Sequence, residues 1–158
     1  MTINQNKTLL IIANIPSENT KALADAAFKG ATQQDIKGVS VKLLSPFEAN
    51  ADDVIACDAI LIGTTENFGY MSGAIKDFFD RVFYPCLEHT EALPYAIYIR
   101  AGIDGTGTEM AMQKIISGLK WKQAQDVLIC QGEFNETFKE QVAALATSMA
   151  VGLEMGIF

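Results

Sequence analysis

The feature that most constrains this chain is an alternation. Five apolar runs, TLLIIA (Thr8–Ala13), VSVKLL (Val39–Leu44), AILIG (Ala59–Gly63), YAIYI (Tyr95–Ile99) and DVLIC (Asp126–Cys130), are separated by segments with helical periodicity. Four of the runs are nearly continuous, as strands buried on both faces require. The second differs: Val39, Val41 and Leu43 alternate with Ser40 and Lys42, the pattern of an edge strand. Repeated strand–helix alternation predicts an α/β doubly wound, five-stranded parallel sheet with helices on both faces. Right-handed crossovers leave few topologies, and an edge-like second strand favours the order 2-1-3-4-5.

The helical faces can be read directly. Leu23, Ala24, Ala27 and Phe28 share one face, and a short segment at Asp52–Ala56 bridges the second and third runs. Ile75, Phe78, Phe79 and Val82 recur at helical spacing, as do Met112, Ile115, Ile116 and Leu119. Phe138, Val142, Leu145 and Met149 mark a last helix. With 158 residues and no linker-like tract, one domain spanning 1–158 is expected.

Composition excludes several function classes. The net charge is −7, and no cluster of Lys and Arg suits a duplex or an anionic membrane. No apolar stretch approaches the roughly 20 residues of a membrane helix. The polar start, MTINQNKT, lacks the apolar core of a signal peptide, so a cytoplasmic location is expected. The three cysteines, Cys57, Cys86 and Cys130, form no C-x-x-C pair, and Cys130 reads as a buried filler.

In sheets of this kind ligands bind beyond the carboxyl ends of the strands, where the strand order reverses. The segments after the first, third and fourth runs are therefore the ones to read. After the first comes IPSENTKALADA, opening a helix. A helix N-terminus attracts anions, and Ser17, Asn19 and Thr20 add side-chain donors. The alternative is that Ser17 or Asn19 is simply an N-cap. Glu18 has to face solvent, near Lys21, if a phosphate sits here.

After the third run comes GTTENFGYMSGAIKDFFDRV (Gly63–Val82), with Phe68, Tyr70 and Met71 grouped around Gly69. They suit a wall for a flat aromatic ligand, and Gly69 a positive φ. The alternative for Phe68 or Met71 is a place in the core. Ser72 is positioned to cap the next helix. After the fourth run, RAGIDGTGTE offers Gly102, Asp104, Gly105 and Gly107 in a loop rich in backbone N–H groups, with Thr106 and Thr108 as plausible caps. It is not a G-x-G-x-x-G fingerprint, so a dinucleotide site is unsupported.

Together these residues carry a family resemblance. The Gly63–Val82 segment resembles the G-x-P-x-Y-F-G-x-M-S-x-x-x-K-x-F-x-D-R segment of the flavodoxin-like FMN proteins, through Gly63, Phe68, Gly69, Met71, Ser72, Lys76, Phe78, Asp80 and Arg81. That superfamily includes flavodoxins, NAD(P)H-dependent FMN reductases and quinone reductases. Ser17, Asn19, Thr20, Leu23 and Ala24 resemble its phosphate loop, and AGIDGTG its glycine-rich loop. The chain departs from the pattern at Thr65 and Asn67, at the missing phosphate-loop glycine and by the added charge of Glu66.

The resemblance implies bound FMN. Ser17, Asn19 and Thr20 would hold its phosphate, Thr65, Asn67, Phe68, Gly69, Tyr70 and Met71 would line one side of the flavin, and Gly102, Asp104, Gly105 and Gly107 the other. It implies electron transfer with a redox partner protein. The alternative is an NAD(P)H-dependent FMN or quinone reductase using a small electron acceptor, such enzymes often being homodimers. A third reading is a binding domain that has lost FMN. His89, the sole histidine, and Trp121 fall at the opposite end of the sheet and are not expected at the site. No catalytic side chain and no metal site is expected.

Overall fold

The computed structural model describes residues 6–158, so most of the polar start lies outside the described residues. Its elements run β1 (Lys7–Ala13), α1 (Glu18–Ala31), β2 (Val39–Leu44), α2 (Ala51–Ala56), β3 (Ala59–Asn67) and β4 (Tyr70–Met71). They continue with α3 (Gly73–Cys86), β5 (Pro94–Ala101), α4 (Thr106–Leu119), β6 (Lys122–Gln123), β7 (Leu128–Gln131) and α5 (Glu136–Glu154).

The main sheet is parallel, with β2, β1, β3 and β5 side by side and both β6 and β7 on the far side of β5. This is the expected order 2-1-3-4-5, with the fifth strand broken in two. Gln125 and Asp126 interrupt it: these polar residues favour turns over strands, and the Gln125 carbonyl accepts from the Gln123 side chain. Regular pairing resumes at Tyr98↔Leu128, so the strand starts two residues later than the apolar run.

Strand periodicity divides the core between the two faces of the sheet. Leu10, Ile12, Ile60, Ile62, Ile97 and Ile99 face α2, α3 and α4, where Val54, Phe78, Phe79, Met112 and Ile116 cover them. Leu9, Ile11, Leu61, Ala96 and Tyr98 face α1 and α5, under Leu23, Ala27, Val142 and Met149. Helices α1 and α5 approach closely at Gly30, where any Cβ would run into the Ala143 backbone. The expected helical faces are buried except for Phe28, which is 39 % exposed at the flank of α1, and Ile115, which is half-buried. Strand β2, paired only with β1, is the half-exposed edge that its alternation predicts.

The largest departure concerns Gly63–Val82. The chain does not enter a loop at Gly63. Strand β3 continues to Asn67, turns at Phe68–Gly69 and returns as β4, with Glu66↔Met71 and Asn67↔Tyr70 paired antiparallel.

Candidate functional site

The carboxyl ends of β1, β3 and β5 lie in register. Ala13 pairs with Gly63, Gly63 with Tyr98, and Thr65 with Arg100. The Asn14 N–H donates to the Gly63 carbonyl at 3.0 Å, turning the chain out of β1. Gly63 must be glycine, because a Cβ there would strike the Tyr98 ring. That ring is buried, and burial pushes the Tyr98 phenol pKa up.

The segment after β1 folds into a capping box. Ser17 is extended, its Oγ accepts from the Thr20 N–H at 3.2 Å, and its own N–H donates to Thr20 Oγ1 at 3.0 Å. The Thr20 hydroxyl also donates to the Ser17 carbonyl at 2.9 Å, and Thr20 is buried. Thr20 is therefore committed to the cap, as the N-cap alternative requires. The first-turn donors left for an anion are the N–H groups of Glu18 and Asn19 and the exposed Asn19 amide. Glu18 is exposed, as expected, and close enough to Lys21 to act on its charge, while Lys21 forms its ion pair with Asp25 at 2.8 Å.

The β3–β4 hairpin forms the second wall. Its two turn residues have positive φ, +55° at Phe68 and +72° at Gly69, the requirement of a two-residue type I′ turn. Glycine adopts this conformation freely, whereas phenylalanine does so at a cost of about 1–2 kcal/mol. Phe68 stands fully in solvent at 106 % exposure, and Tyr70 is 40 % exposed. Met71, grouped with them as a ligand wall, is instead 2 % exposed in the core beside α3, because β4 turns alternate residues inward. Thr65 Oγ1 donates to Asn67 Oδ1 at 2.9 Å, bracing the hairpin arm. Ser72 caps α3 by accepting the Ile75 N–H.

The third wall is the loop after β5. Ile103 projects outward at 65 % exposure. Gly102 is exposed, with nothing within 4 Å of where a Cβ would sit, so its surface is open to a ligand. Gly105, at φ +73°, is the N-cap of α4 and packs against Ile129. Thr106 and Thr108 are therefore not caps. Asp104 supplies that function, its Oδ1 accepting the Thr106 N–H at 3.1 Å and the Thr106 hydroxyl at 2.9 Å. These bonds, the backbone one first, hold the Asp104 pKa below the ordinary aspartate value. Gly107 lies in the first turn of α4; it is exposed, but a Cβ there would collide with the Gly69 carbonyl, so it also supports the hairpin. The Thr108 hydroxyl is buried with no hydrogen-bond partner among the described residues.

Two residues that carry this edge have roles the sequence did not disclose, Glu66 having been read only as an added charge. Glu66 crosses from the hairpin to the glycine loop, accepting the N–H groups of Ile103 and Gly105, each at 2.7 Å. Arg100 donates to the carbonyls of Ala101 and Cys130, both at 3.0 Å, and its guanidinium lies over Phe134 and Phe138. The signal for Glu66 was its place opposite a loop rich in free N–H groups. No pattern pointed to Arg100, whose partners come from β7 and α5. His89 and Trp121 lie at the amino end, away from these walls. Clefts also open elsewhere, one of about 380 Å³ between α3 and α4 at Phe79, Phe83 and Ile115.

No family model matches the chain. It is 29 % identical over 111 residues to a flavodoxin of Aquifex aeolicus, a match covering 70 % of this chain and 59 % of that protein. A flavodoxin from the domain Archaea superposes with a TM-score of 0.78 at 18 % identity, covering 93 % of this chain and 99 % of the other. The chain has a flavodoxin-like fold. Oxidised flavodoxin 1 of Bacillus cereus superposes on the same fold with a TM-score of 0.74 at 14 % identity, covering 92 % of this chain and 98 % of the other. No helix among its described residues is long and apolar enough to cross a membrane. None of its described His, Cys, Asp and Glu side chains group in threes suited to a metal ion.

Proposed function

We propose that this chain, acting as one domain, binds FMN at the carboxyl ends of β1, β3 and β5 and carries electrons to or from a partner protein. The observation that carries the reading is that exposed apolar side chains, Phe68 and Tyr70 on the hairpin and Ile103 beside the open Gly102, lie on the two segments that Glu66 joins at that edge. A soluble surface has no need to cluster such groups beside a helix N-terminus. Together they match a molecule with a flat apolar ring at one end and an anion at the other. The flavodoxin named among the relatives supports the choice of FMN.

The residues present fit FMN. The N–H groups of Glu18 and Asn19, with the Asn19 amide, would take the phosphate, aided by the partial positive charge of α1. Ser17 and Thr20 would hold that turn rigid through the capping box. Phe68 and Tyr70 would flank the ring on one side, and Gly102 and Ile103 on the other. When bound, the flavin supplies the redox chemistry. The chain orients it, excludes water from its faces and leaves an edge exposed for electron exchange. No side chain need act as acid or base.

A second reading, an NAD(P)H-dependent FMN or quinone reductase working as a homodimer, draws on the NFGYMSG sequence of the hairpin. Titration of the purified chain with FMN, followed by addition of NADH or NADPH under air, separates the two. Binding without pyridine-nucleotide oxidation, but with reduction by a flavodoxin reductase, is expected of the carrier. Rapid oxidation selects the reductase, and absence of binding at excess FMN overturns both.

A further inference from the structure

Glu66 joins the two walls of the candidate site. It leaves β3 two residues before the turn, and its carboxylate reaches the loop after β5. Oε1 accepts the Ile103 N–H and Oε2 the Gly105 N–H, each at 2.7 Å. A carboxylate with both oxygens on backbone N–H groups makes two charge-assisted bonds, about twice as strong as bonds between neutral groups. These are the donors that the glycine-rich loop would offer to a ring edge. The hairpin is clamped from a second side, because the Gly69 carbonyl packs onto Gly107 where no Cβ fits. Meanwhile Phe68, held at positive φ, points wholly into solvent. The donors of one wall are thus occupied from within, while the aromatic group of the other has no partner.

We infer that Glu66 is an internal competitor for the ring-binding donors of this site. The inference rests on the FMN reading given above. The pyrimidine edge of a flavin presents neutral carbonyl oxygens, which are weaker acceptors than a carboxylate. To reach the Ile103 and Gly105 N–H groups, the ring must displace Glu66 into solvent. Affinity for FMN is lowered by the fraction of molecules in which the carboxylate has let go. The bare negative charge of Glu66 has a separate, smaller effect, which any nearby acidic residue would share. Glu133, exposed in the loop after β7 at the same end of the sheet, serves as the comparison for it.

The test compares the native chain with Glu66→Gln, Glu66→Ala and Glu133→Gln. FMN affinity is measured by quenching of flavin fluorescence, and exchange of the Ile103 and Gly105 amides is followed by NMR without ligand. The expected result is FMN binding about tenfold tighter or more in both Glu66 variants, a change within about twofold in Glu133→Gln, and faster exchange of both amides in Glu66→Ala. Equal or weaker binding by the Glu66 variants overturns the inference, as does an equal gain in Glu133→Gln. If FMN binds the native chain and the two amides exchange alike in all proteins, the clamp is refuted and the FMN reading stands. If the amides are released in Glu66→Ala but no protein binds FMN, the FMN reading falls and the competition falls with it.

Discussion

The two ends of the sheet are built from similar residues and treated in opposite ways. At the amino end the chain seals itself. Trp121 is 7 % exposed, packs beside Phe79 and Tyr95, and donates its indole N–H to the Thr90 hydroxyl at 2.8 Å. Thr90 in turn donates to the Cys86 carbonyl, and the Thr8 N–H to the Asp58 carboxylate. At the carboxyl end an aromatic of comparable size, Phe68, stands in water on a strained turn. A large ring left exposed at a conformational cost does not serve stability, because nothing in the fold repays it. The amino end is where the fold is held, and the carboxyl end is where we propose it is used.

The largest test is at the sealed end. Trp121→Ala removes a buried ring and leaves the Thr90 hydroxyl without its donor, so a loss of about 3–5 kcal/mol is expected in urea unfolding. A loss below about 1 kcal/mol would break the contrast between the ends. At the open end Gly107→Ala forces the Gly69 carbonyl away and should cost about 1–3 kcal/mol by the same measurement. It should also increase proteolytic cleavage at the hairpin, which Trp121→Ala would affect only through global unfolding.

Thr108→Val is expected to stabilise by about 1 kcal/mol, because it replaces a buried, unpartnered hydroxyl with a methyl of similar size. Phe68→Asn should stabilise by about 0.5 kcal/mol, since asparagine tolerates the left-handed turn. The same substitution should weaken FMN binding, and retained affinity would remove Phe68 from the proposed wall. The smallest effect concerns Asp104. Its folded pKa is depressed, so the stability it contributes is present above the unfolded aspartate pKa and is lost as pH falls through the lower folded value. An NMR titration of the Thr106 amide should show its midpoint below the ordinary aspartate range, rising in Thr106→Val.

Much of the fold was legible in the sequence because strand and helix periods are local. Leu9–Ile12 and Ala59–Ile62 are continuous and buried, and the Ile75, Phe78, Phe79 and Val82 spacing is the inner face of α3. His89 and Trp121 were excluded from the site by topology alone. The site was less legible. Phe28 matched the α1 pattern yet lies at the edge of the buried stripe, and the break between β6 and β7 overlaps the first two residues of an apparently simple run. Met71 and Phe68 are three residues apart and equally apolar, but only the pairing of β4 with β3 puts one in the core and the other in water.

What the sequence determined by itself is the parallel layered sheet, its edge at β2 and the three segments that meet at its carboxyl end. Each follows from hydrophobic period and chain direction, which act over a few residues. Tertiary structure alone decided how those segments are occupied. The segment after β1 closes on itself as a capping box, because Ser17 and Thr20 lie within one turn. Glu66 finds Ile103 and Gly105, nearly forty positions away, because β3 and β5 pair side by side and bring a carboxylate to N–H groups that water would otherwise satisfy.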